Sequence, residues 1–262
     1  MNKRGRYAPF FVALTSNLYY TFMKKFLSLW VMVAFLATQS FASIGESTEA
    51  STGTVENDPA SVIAKYIQAV GGAENVAKIK NSIMVMEASL QGATLVMKTV
   101  ADSENHRMMQ ETSFMGNVAS KTIFKDGKAK AMAMGQEQAI PDEMAEMLKI
   151  QTYAFPETQY EAMGYTLELQ GTEKIKKEDA HKLIITAPNG MKTVEYYSVE
   201  SGLKLRTSSE ATGDITYANY QEKDGVKIPM KLTIKSPMLP MELETVVKEV
   251  SFNSTLKDSD FN

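Results

Sequence analysis

Two histidines and no cysteine are the chain's whole stock of imidazole and thiol ligands. His106 lies beside a turn (SENHR) and His181 opens a strand after KKEDA, far along the chain, with no HExxH or HxxEH spacing. A catalytic zinc site takes about three protein ligands, so no metal centre is expected. Nucleophilic chemistry has no better footing, because GxSxG is absent and the serines fall in polar turns and at strand ends. No Gly-rich phosphate loop occurs; Gly71-Gly72 ends a helix instead of joining a strand to one. The carboxylate pairs Glu242/Glu244 and Asp142/Glu143 have the right groups for acid–base work, but no apolar setting argues for their burial, and they read as solvated faces. The expectation is a protein that is not an enzyme and carries no cofactor.

Methionine is what stands out. From Ser43 onward there are fifteen, ten of them between Met84 and Met147. In strands they fall two apart, as Met84/Met86 and Met132/Met134, which places each pair on one face. An unbranched, polarizable side chain fills irregular cores, and it also lines surfaces that accept apolar partners of several shapes. Singly, each methionine reads as core filler; the functional reading rests on the cluster and its place beside a helical insert.

The elements that would position them are mostly strands. Asp58-Pro59 opens a helix, with Val62, Ile63, Tyr66, Ile67 and Val70 at helical spacing. A short second turn runs through Val76 and Ile79. From Asn81 the period changes to two, giving strands over 82–90, 93–101, 106–114, 117–125 and 128–134. After an interruption at 141–163, further strands span 164–170, 172–177, 180–187, 191–199, 202–210, 214–221, 226–235 and 241–252. Tight-turn pairs such as Asp126-Gly127 and Asp224-Gly225 separate them. In VKIPMKLTIK, Val226, Ile228, Met230, Leu232 and Ile234 share a face, and Pro229 calls for an edge or a bulge. Short connections force antiparallel neighbours, and so large a meander must curl, with helices on its hollow side. The interruption is helical from Pro141, with Met144, Met147 and Leu148 on one face.

Residues 23–42 have the build of a signal peptide: two lysines, an apolar run from Phe26 to Ala37, and small residues before Ser43. Residues 1–22 read as an upstream extension, with a membrane anchor as the alternative. Residues 43–57 are a polar, disordered linker, leaving 58–262 as one domain. Beyond residue 42 the chain holds 23 Lys/Arg against 31 Asp/Glu, a formal charge of −8, which disfavours nucleic acid and anionic membranes. Without cysteine there is neither a disulfide nor an acylation site, so a soluble periplasmic or secreted protein is expected.

Three stretches carry a resemblance. IAKYIQAVGGAENVAKIKNSIMVM, the pair EYYSVESGLKLRTSSE and YANYQEKDGVKIPMKLTI, and the ending with Asn253, Leu256, Asp258 and Phe261 are similar, in that order, to the outer-membrane lipoprotein-sorting (LolA/LolB/LppX-like) superfamily. The resemblance implies an incomplete antiparallel barrel of about eleven strands, mainly β, with helices plugging an apolar cavity. It implies a carrier that shields an acyl chain, a lipoprotein anchor or another hydrophobic ligand. The residues expected to line the groove are Met84, Met86, Met97, Met132, Met134, Met144 and Met147, with Phe114, Phe124 and Phe155 as aromatic walls. The second reading is an accessory subunit binding an envelope protein, such as a pitrilysin-type zinc peptidase, without lipid. Neither Arg107 nor Arg206 maps onto an interior arginine of the classical carriers.

Overall fold

The computed structural model describes residues 58–262 except 91, 134, 211, 238 and 240. The expected leader and linker lie outside the described residues, as does Met134.

Helix α1 (Pro59–Ala69) starts as its sequence predicts. The Asp58 carboxylate accepts from Ala60 N at 2.8 Å and Ser61 N at 3.0 Å, and Pro59 takes the first helical position. A second, five-residue helix, α2 (Ala73–Ala77), leads into the sheet. Gly71 makes the tight passage between them possible. A Cβ there would lie 2.3 Å from the Gly225 carbonyl oxygen, and the backbone sits at φ +134°.

Thirteen strands follow among the described residues. The first six are β1 (Asn81–Leu90), β2 (Ala93–Asp102), β3 (Arg107–Phe114), β4 (Asn117–Lys125), β5 (Lys128–Ala133) and β6 (Gln136–Ile140). After helix α3 (Asp142–Leu148) and two 3-10 turns come β7 (Thr166–Ile175), β8 (Glu178–Thr186), β9 (Lys192–Ser198), β10 (Lys204–Ser209), β11 (Gly213–Lys223), β12 (Val226–Lys235) and β13 (Leu243–Phe252). They form one antiparallel sheet in the order β6-β5-β4-β3-β2-β1-β13-β12-β11-β10-β9-β8-β7. The two edges, β6 and β7, do not pair, so the curved sheet is an unclosed barrel.

This is the mainly β, incomplete-barrel architecture expected, with thirteen strands where the resemblance implies about eleven. Two local readings change. The stretches 164–170 and 172–177 are one strand, β7, whose register slips between Leu169 and Thr172 around Gly171. QEQAI, outside the strands expected from the sequence, is strand β6; its exposed glutamines hide the alternation that the register reveals. Pro229 finds its place because β12 pairs with β13 only over Lys231–Ile234, so Pro229 lies beyond that ladder.

The sheet's inner face carries the helices. Val62, Tyr66, Ile67 and Val70 of the α1 segment pack with Leu183, Ile185, Tyr197, Val226 and Ile228. Helix α3 packs its Ala145 and Leu148 with Met108, Phe124, Ala129 and Ala131. On the outer face over β1–β4, Leu256 and Phe261 of the C-terminal segment meet Val100, Met109 and Ile123. Asn253 turns that segment at φ +52°, accepting from Lys80 N and donating to Lys78 O. Arg107 bridges Asp102 and Asp258 at 2.8 and 2.7 Å and lies 4.3 Å from the Phe261 ring centre. Phe261 is 1% exposed, so Phe261→Ala should lower unfolding stability by about 3 kcal/mol in urea titration, the cost of an aromatic cavity.

Candidate functional site on the inner face

Pairing registers assign each side chain to a face. Met84, Met86, Ala88 and Leu90 of β1 stand beside Thr99, Met97, Leu95 and Ala93 of β2, and Met97 and Leu95 stand beside Thr112 and Phe114 of β3. On the other side of β1, Met86 faces Val247, and through β13 and β12 the row continues to Leu243 and Ile234. Ala88, Leu90, Leu95, Met97, Leu239 and Leu243 are buried together, with Met86, Phe114 and Ile234 half-buried against them. Met84, Met230 and Leu232, on the same face, are also only half-buried. Between the parts covered by α1 and α3, the inner face therefore presents a band of partly open apolar surface. Thr112 and Ser120, buried at its side, add hydroxyl groups.

The ten candidate residues do not all meet there. Met84, Met86, Met97 and Phe114 belong to the band. Phe124 is on the same face but lies fully under α3, packed with Met108 and Ala131, and Met144 packs against that cluster. Met147 is half-buried on α3 and accepts from the Asn189 side chain. Phe155 is interior filling beside Val62 and Tyr66 in the cluster under α1. Met132 pairs with Lys121, which pairs with Glu111, and so faces outward among charged side chains. On β5 the alanines turn inward, because α3 approaches too closely for larger residues; the sequence pattern, with both faces apolar or small, hid this.

A second feature has no apolar signature at all. Lys204 of β10, 7% exposed, donates to Glu195 Oε1 of β9 at 2.7 Å and to Glu157 Oε1 of the segment after α3. Tyr160 donates to Glu195 Oε1 at 3.0 Å, Tyr197 donates to Glu195 Oε2, and Tyr220 donates to the Lys204 carbonyl at 2.8 Å. The ammonium lies 5.3 and 5.6 Å from the ring centres of Tyr197 and Tyr66. The segment linking β6 to β7 is thereby tied to the sheet by a buried ion pair, with Gln110 Nε2 to Gln151 Oε1 at 2.9 Å as a second tie.

The charges do not cancel, since one ammonium faces two carboxyls. Burial would lower the Lys204 pKa, but Glu157 and Glu195 outweigh it and hold the group well above the ordinary lysine range. Burial pushes Glu157 up; Lys204 opposes this, Glu195 adds to it, and the net shift is upward. Among the described residues Glu157 Oε2 has no hydrogen-bond partner, a cost that acts in the same direction. A pKa raised by folding contributes stability that is complete below the unfolded value and fades as pH rises through the folded one. Stability should thus decline from about pH 4.3, the ordinary glutamate value, upward through the raised one, and Glu157→Gln should flatten that slope. Lys204→Met leaves two buried carboxyls without their cation and should cost about 3–5 kcal/mol in denaturant unfolding at neutral pH.

Among the described residues, no group of three His, Asp or Glu stands together as a metal site, and no helix is long and apolar enough to cross a membrane. The sequence matches no protein-family model and no curated protein. Solved structures do match. A DUF1329 family protein from Desulfovibrio piger superposes at TM-score 0.51 with 14% identity, over 78% of this chain and 98% of that one. A LolA superfamily protein from Nitrosomonas europaea gives TM-score 0.51 and 11% identity, over 78% and 97%. An outer-membrane lipoprotein-sorting domain from Vibrio parahaemolyticus gives 0.48 and 16%, over 72% and 93%. The unclosed sheet, the helices on its inner face and the two superpositions at TM-score 0.51 agree with the resemblance of the three motif stretches: the chain has a LolA-like fold.

Proposed function

We propose that the protein is an exported, non-catalytic carrier that holds an acyl chain, a lipoprotein anchor or a similar apolar ligand against the inner face of its sheet. The observation that carries this reading is the half-buried band of Met84, Met86, Phe114, Met230, Leu232 and Ile234. A sheet face between two helix-covered clusters would ordinarily be filled, and leaving apolar side chains partly open there is costly without a ligand. Each methylene removed from water contributes about 0.8 kcal/mol, so even a short stretch of acyl chain gains useful affinity along the band. Methionine suits a site that must also release its cargo, since it adapts to chains of different shape. The fold of a LolA superfamily protein is consistent with this reading, as is the leader-like stretch at residues 23–42.

The protein, stripped of bound lipid, should take up a fluorescent fatty-acid analogue saturably. Met86→Ser should weaken uptake about tenfold, a loss of about 1.4 kcal/mol, without altering the circular dichroism. Met132→Ser, on the outer face, should leave uptake unchanged. Absence of saturable uptake, or equal loss in both variants, would rule the band out as the binding surface.

A further inference from the structure

The sheet's two free edges differ in how they meet solvent. Edge β7 is interrupted by its register slip at Gly171 and carries exposed Glu168, Glu173 and Lys174, devices that discourage another strand from adding. Edge β6 has no such slip, and its charge is confined to Glu137. Its register with β5 is regular from Ala133–Gln136 to Ala129–Ile140, it contains neither proline nor lysine, and Gln136 to Ala139 are all exposed. Among the described residues no strand lies beyond it. Beside it on the inner face, Ala131 and Ala133 leave a depression bounded by Gln136 and Gln138, where alternate side chains of an added strand would fit.

Charge narrows the choice of occupant. Lys130 is engaged with Glu137 at 3.0 Å and Lys128 with Asp142 at 2.8 Å. Glu143 and Glu146, exposed on the helix that follows β6, have no ion pair among the described residues. The surroundings of the edge are therefore net acidic. A second copy of this chain would bring the same acids against them, whereas a basic segment would neutralise them. We propose that β6 receives an extended, basic polypeptide segment as an additional antiparallel or parallel strand, held by main-chain hydrogen bonds. This surface is separate from the apolar band, and its occupancy does not depend on lipid.

The test uses the full chain and a fluorescein-labelled heptapeptide of alternating lysine and valine. Saturable binding in anisotropy is expected, with amide hydrogen exchange slowed within 136–140. The same peptide N-methylated at alternate residues, tried in both phases, keeps its charge but loses donors along one edge. One of the two phases should bind at least about tenfold more weakly, the effect of losing one or two net hydrogen bonds. Gln138→Pro should reproduce that loss; if this variant does not fold, the N-methylated pair decides alone. Equal affinity of both methylated peptides and the parent would overturn the proposal. So would equally tight binding of a glutamate–valine peptide, protection outside 136–140, or self-association of the chain through β6.

Discussion

Strand β1 pairs with strand β13 from Ser82–Phe252 to Ala88–Thr245, joining the beginning and end of the domain into one ladder. From that seam two meanders run outward, β1 to β6 on one side and β13 back to β7 on the other. Their free edges are consecutive in sequence but lie at opposite ends of the sheet. The connection between them has to cross the inner face, and it does so as α3, two 3-10 turns and the strand entry at Tyr165. The unclosed shape, the cover over half the inner face and the open apolar band beside it all follow from this one pairing. Its register shift between Val85 and Met86 sits at the level of the band.

A crossing segment so placed needs anchorage, and the molecule supplies it by electrostatics as well as by packing. Phe155 and Tyr160 bury apolar surface against α1 and the β7–β9 region. The Lys204–Glu157 contact then fixes which part of the segment meets which strand. A buried lysine with two carboxyls is not a cheap source of stability. What it provides is register: an apolar segment could slide along an apolar face, whereas a charged one has a single place where its partner and the tyrosine hydroxyls are satisfied. The insert accordingly behaves as a strap fastened at its C-terminal half, with α3 resting on the alanines of β5.

The outer face follows a different logic. Over β1–β4 it is sealed by Leu256 and Phe261 and clamped by Arg107 between Asp102 and Asp258. Beyond those strands it carries exposed pairs such as Lys231–Glu244 and a small buried cluster of Ile175, Ala180 and Tyr196. The closing motif that links this chain by resemblance to the lipoprotein-sorting proteins is thus a structural clasp on the face opposite the apolar band. That explains how such a motif can mark a fold without naming a ligand.

Local chemistry was enough to read most of the elements. The Asp58-Pro59 start of α1, the Gly71-Gly72 exit, the tight turns and the alternation of VKIPMKLTIK are decided within a few residues, and the meander follows from the short connections between them. Three things were not legible. Strand β6 has polar residues on both sides and is a strand only because β5 offers it a ladder. Met132 and the alanines of β5 could face either way until the helix above them selected the smaller side chains. Lys204, Glu157 and Glu195 are separated by nine and more residues and look like any surface charges, because burial of an ion pair depends on which elements cover it. The sequence by itself determined most of the strands, the turns between them and which residues alternate along them. Only the tertiary structure decided which face is inner, since period two fixes the alternation of side chains but not its sense.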